Sequence, residues 1–162
     1  MLNLKVESYL KLIFIISLIS IFSAYFIEYI LGHQPCNLCL IERVPYGLSI
    51  ILIFANYVFK KNERLIILLL IVIFIFSFSI SVYHFGIEQG HFKESAVCSL
   101  NNSANIISKE ELLKLLNEKT ISCKDVTFRI FGLSLTSINI IISLIIMIIL
   151  IKIYTVYEKI KS

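Results

Sequence analysis

Charge is scarce in this chain and unevenly spread. Asp, Glu, Lys and Arg make up 16% of the 162 residues, and the stretches Leu65–Tyr83 and Ile130–Ile151 contain none. No internal repeat and no flexible linker breaks the sequence, which holds only two prolines and five glycines. That excludes a string of domains and leaves one compact unit. Tryptophan is absent, so tyrosine is left to mark any lipid–water boundary. The formal net charge of +4 is mild and gives no ground for a nucleic-acid partner. A helix needs about 20 apolar residues to cross a bilayer, and four runs of that kind are present: about 12–31, 38–59, 65–84 and 130–151. With 58% hydrophobic residues and a positive mean hydropathy, the chain exceeds what a soluble core of this size needs. The expected fold is an all-α integral membrane protein, a single four-helix bundle over 1–162 with a long extracytoplasmic loop at about 86–129.

Orientation follows from the loop charges, because Lys and Arg gather on the cytoplasmic side. The N-terminal end, the turn between the second and third spans and the C-terminal tail together hold eight basic residues against three acidic ones. The opposite side holds seven against eight. Both termini are therefore expected in the cytoplasm and all four cysteines outside. Tyr29 and Tyr83 fall at outer span ends, and Tyr9, Tyr57, Tyr154 and Tyr157 near inner ones, as interfacial rings do. The first span has no clear small-residue cleavage site and reads as an anchor rather than a signal peptide. In the long loop, Ser108-Lys109-Glu110-Glu111 has the form of a capping box. Leu112, Leu113, Leu115 and Leu116 follow as one apolar stripe. A short amphipathic helix is expected there, lying on the membrane surface or packed on the bundle.

The chemistry rests on sulfur. Cys36 and Cys39 form a CxxC at the mouth of the second span, and Cys98 and Cys123 lie in the long loop. Four cysteines permit three pairings; Cys36 with Cys39 and Cys98 with Cys123 is the simplest. A helix N-terminus favours thiolate over thiol. Arg43, one turn beyond Cys39, adds a cation on nearly the same face, and Glu42 is its adjacent candidate partner. Two blander readings compete: structural disulfides that brace the loops, and a zinc site. Zinc wants four closed ligands, and the separation of Cys98 from Cys123 does not form a second knuckle, so no metal is expected. His84 and Glu88 stand one turn apart at the outer end of the third span, while His33 and His91 lie on the solvent side and need no function.

Pro35-Cys36-Asn37-Leu38-Cys39-Leu40-Ile41-Glu42-Arg43 followed by Tyr46-Gly47 resembles the DsbB family of disulfide-bond-formation proteins. Tyr83-His84-Phe85-Gly86-Ile87-Glu88, the cysteines Cys98 and Cys123, and Phe131-Gly132-Leu133-Ser134 through Asn139 match in the same order. Thr136 and Ile138 stand where that family usually has proline and tryptophan. In the vitamin K epoxide reductases the loop cysteines instead precede the membrane CxxC. The resemblance implies a thiol:quinone oxidoreductase of the bacterial inner membrane. It would reoxidise a periplasmic thioredoxin-like oxidase of DsbA type and pass electrons to ubiquinone or menaquinone. By position, Cys98 would meet the partner, Cys123 would resolve the mixed disulfide, Cys36 would take the exchange and Cys39 would reduce the quinone. Arg43, Glu42 and His84 would bind the quinone. The alternative is a structural or redox-sensing membrane protein with inert loop disulfides.

Overall fold

The computed structural model describes residues 2–59, 63–93, 123–124, 129–130 and 132–161. Four long helices dominate them: α1 (Leu2–Tyr29), α2 (Asn37–Phe59), α3 (Glu63–Glu88) and α4 (Leu135–Lys161). All four are long and apolar enough to cross a membrane. The expected all-α, four-span architecture is what forms. The loop segment expected to carry an amphipathic helix, and Cys98 with it, lies outside the described residues.

The helix ends are written in the local sequence. α1 closes where the amides of Ile30 and Leu31 bond back to the Phe26 carbonyl, and Gly32 takes φ +72°, a conformation that suits glycine. α2 starts after Pro35, and the Cys36 sulfur accepts the Cys39 amide at 3.3 Å in the manner of an N-cap. The helix runs unbroken through Pro45, which supplies no amide to the preceding turn. The apolar run beginning at Ile130 turns helical only at Leu135. Before it, Arg129–Ile130 (β1) pairs antiparallel with Leu133–Ser134 (β2) across Gly132, at φ +85°. Ser134 Oγ then accepts the Ser137 amide at 3.2 Å and fixes the helix start.

α3 packs most extensively on α4, then α2 on α3 and α1 on α2. The deep centre is apolar: Ile13, Ile53, Ile67, Leu70, Phe74, Ile146 and Leu150 are wholly buried. Large side chains such as Phe22, Ile51, Phe54, Val72 and Ile148 stay exposed, as lipid-facing residues do. Lipid is as apolar as these side chains, so close packing and interhelical hydrogen bonds hold such helices together. The bonds are present: Ser17 with Ser49 at 2.9 Å, Ser77 with Ser143 at 3.1 Å, and Tyr46 with Ser143 at 3.3 Å.

Candidate redox site

Cys36, the N-cap of α2, and Cys39, one turn inside, bring their sulfurs to 2.7 Å as free thiols. Cys123 is disulfide-bonded. It is 3% exposed and sits in one buried cluster with Cys36, Leu38 and Ile87, flanked by Cys39 and Tyr83. The two cysteine centres, far apart in sequence, therefore meet at one point.

Beside them opens a cavity of about 310 Å³. Cys36, Cys39, Glu42, Arg43, His84 and Cys123 all line it, with Ile19, Ile27, Ile138 and Ile142 among its apolar walls. Of the site residues expected from sequence, Cys98 falls outside the described part of the chain. His33, expected to be idle on the solvent side, also borders the cavity.

The pairing of Arg43 differs from the sequence expectation. Its partner is Glu28 of α1, Nη1 to Oε2 at 2.5 Å, and its guanidinium lies 5.2 Å from the centre of the Tyr25 ring. Glu42 cannot share that partner, because successive residues point about 100° apart around a helix. It turns inward instead. His84 Nδ1 donates to Glu42 Oε1 at 2.9 Å, and Asn139 Nδ2 donates to Glu42 Oε2 at 3.0 Å and to Ser81 Oγ at 2.8 Å. Tyr46 donates to the Asn139 carbonyl oxygen. On the other side of His84, Nε2 stands 3.5 Å from the Cys36 sulfur. Thr136 Oγ1 donates to Glu88 Oε1 at 2.5 Å and lies 3.4 Å from His84 Nδ1. Glu28, Thr136 and Asn139 as contributors to the site escaped the sequence reading. The one available signal was that each is polar within or beside a long apolar run, and such residues face the interior of a bundle.

The arrangement acidifies one sulfur. The Cys39 thiol bonded to Cys36 lowers the Cys36 pKa most, with His84 and the Cys39 amide adding to it and burial opposing, to about 5 from an ordinary 9.0. Cys36 is then thiolate at neutral pH and becomes thiol only below that value. In the fully reduced chain, alkylation of Cys36 by a small haloacetamide is expected to rise with pH around a midpoint near 5. A midpoint near that of a free cysteine, about 8.5, would show that these contacts do not form.

The DsbB family, Disulfide bond formation protein DsbB, matches residues 7–153 of this chain. The uncharacterized protein RP370 of Rickettsia prowazekii (strain Madrid E) is 29% identical over 137 residues, covering 83% of this chain and 80% of the relative. No solved structure matches significantly. A paired dithiol at the head of a membrane helix, beside a second oxidised cysteine, is what a thiol oxidoreductase requires, and the match spans all four helices: the chain belongs to the DsbB family, multi-pass membrane proteins of disulfide bond formation.

Proposed function

We propose that this protein is a membrane thiol:quinone oxidoreductase that reoxidises a periplasmic thioredoxin-like dithiol oxidase of DsbA type. Its cysteines face the periplasm and both termini the cytoplasm, a topology supported by the loop charges. The observation that carries the reading is the burial of disulfide-bonded Cys123 against Cys36, beside a cavity that Arg43 and His84 also line. That cavity suits a ubiquinone or menaquinone ring. Its volume is at the lower end of small-molecule pockets, apolar walls from α1 and α4 can hold ring and tail, and Arg43 offers a donor to a ring oxygen, with His84 and Glu42 lining the polar end of the cavity. When bound, a quinone supplies the two-electron, two-proton acceptor.

The chain's own residues do the rest. The partner's thiolate attacks Cys98, and Cys123 leaves as thiolate; closure of the partner disulfide then releases Cys98 as a thiol. The loop dithiol next attacks the Cys36–Cys39 disulfide at Cys36, Cys39 leaves, and the loop disulfide re-forms. The electron pair now rests on Cys36 and Cys39. Oxidation of that pair frees two protons. Cys36 has already given up its proton at neutral pH, and His84 Nε2, 3.5 Å from its sulfur, is placed to hold that proton while Nδ1–H stays bonded to Glu42. Arg43 sits one turn from Cys39, where its charge would stabilise negative charge on a bound acceptor.

In a Cys123→Ala chain, the free Cys98 thiolate should attack the disulfide of the oxidised partner, displace one partner thiolate and be trapped as a covalent one-to-one adduct on a non-reducing gel. Bracing disulfides would give no adduct, and its absence would overturn the reading. Arg43→Met should raise the KM for quinone about tenfold, the loss of one charge-assisted hydrogen bond. Exchange between the loop and the partner should keep its rate. Glu28→Gln, which retains the guanidinium, is the control for disturbance of α1, and an unchanged KM in Arg43→Met rejects the role given to Arg43.

A further inference from the structure

The site has a second chemistry that thiol exchange does not use. We propose that the reduced Cys36–Cys39 pair, with His84 and Glu88, forms a reversible binding site for one thiophilic divalent cation such as zinc, and that occupancy blocks the dithiol.

Three of the four proposed ligands are assembled around one point. Cys36 Sγ, Cys39 Sγ and a ring nitrogen of His84 lie within 4.8 Å of one another. With zinc–sulfur bonds of about 2.3 Å and a zinc–nitrogen bond of about 2.0–2.1 Å at tetrahedral angles, sulfur and nitrogen should be about 3.5 Å apart and the two sulfurs about 3.8 Å. Cys36 Sγ and His84 Nε2 are already at 3.5 Å. The sulfurs, at 2.7 Å, need only rotation of the partly exposed Cys39 side chain.

Two further observations point to a cation. The first is the contact behind the imidazole, where Nδ1 donates to the Glu42 carboxylate at 2.9 Å. That bond occupies Nδ1 and leaves Nε2 as the ring nitrogen that faces Cys36, free to coordinate once any proton on it is displaced by the cation. A carboxylate holding the remote nitrogen is the support that metal-binding histidines almost always have. The second is Glu88. Its side chain is 6% exposed and lines the same cavity, Oε1 lies 4.0 Å from His84 Nε2 and is fixed by Thr136, and Oε2 is buried with no hydrogen-bond partner among the described residues. An uncompensated buried carboxylate oxygen is costly, and a cation at the three other ligands gives it a partner.

Binding leaves oxidation states unchanged. Each thiol still protonated loses its proton to solvent as a sulfur–metal bond forms, so proton release accompanies uptake. The disulfide form has no thiolate to offer and should not bind, which makes cation affinity a reporter of the redox state.

The test uses the full chain in lipid nanodiscs, with Cys98→Ala and Cys123→Ala so that no loop thiol competes. Cobalt is titrated anaerobically into the reduced protein after the reductant is removed. One equivalent should give the intense visible bands of tetrahedral cobalt and a thiolate charge-transfer band, and zinc should bleach both. The same protein with its disulfide closed should give neither, a comparison that needs no further substitution. Glu42→Gln should weaken cobalt by about 10–100-fold, with weaker binding also in Glu88→Gln. Bound zinc should protect both thiols from iodoacetamide. Faint octahedral spectra, equal binding to the oxidised form, or undiminished affinity in both carboxylate variants would overturn the site. None of these readings involves quinone or a partner protein, so they stand or fall apart from the proposed oxidase activity.

Discussion

A chain carrying Cys39→Ser should oxidise one equivalent of reduced partner and then stop. The proposed loop disulfide of Cys98 and Cys123 is untouched by the substitution and should still exchange once with the partner. The electron pair can go no further, because serine oxygen forms no disulfide with Cys36 and cannot accept the loop's electrons or pass them on. Steady turnover with added quinone should fall to the background of membranes lacking the protein. A rapid-mixing experiment following partner thiols should therefore show a stoichiometric burst without a linear phase. A continuing linear phase would mean that electrons reach the acceptor without the CxxC. Serine nearly preserves the volume of cysteine at this partly buried position, and the helix cap is made by Cys36 rather than Cys39. The variant should accordingly fold.

Much of this arrangement was legible in the sequence for a simple reason. A membrane span carries its own signature in length and apolarity, and thiols at span ends have few ordinary structural uses. The four helices and the residues Cys36, Cys39, Glu42, Arg43 and His84 could all be named before any coordinates. The partnerships could not. Arg43 and Glu28 are fifteen residues apart on different helices, and no local spacing rule connects them. Glu42 looked like the neighbour of Arg43 because it adjoins it in sequence, yet adjacency on a helix separates two side chains. The start of α4 was hidden in the same way: the apolar run continues smoothly through Ile130, and only Gly132 and Ser134 mark where the backbone must turn and be capped. In helices that are apolar all round, periodicity does not reveal which face looks inward. The buried Ser17, Ser49, Ser77, Ser81 and Ser143, with the half-buried Asn139, do, since polar groups in a bilayer seek one another.

Asn139 is the place where this matters most for stability, and Asn139→Leu is expected to destabilise the bundle by about 2–5 kcal/mol. The amide donates to Glu42 and Ser81 and accepts from Tyr46, so one side chain joins α2, α3 and α4. Leucine satisfies none of the three. Each buried polar group left without its partner costs about 1–3 kcal/mol, while single interhelical hydrogen bonds in membranes average about 0.6 kcal/mol and reach about 1.7. Regrouping of Ser81 onto the Ser77 carbonyl, a bond it already makes, and of Tyr46 onto Ser143 should limit the loss. Glu42 has no comparable second option and retains only His84. The loss should therefore be felt at the redox site as well as in folding. Unfolding in mixed micelles of increasing denaturing detergent should show the shift. Asn139→Gln, which keeps the same groups one methylene further out, should recover part of it. A Leu variant as stable as the parent would mean that the three-helix junction at Asn139 is not what holds Glu42 and His84 beside the cysteines.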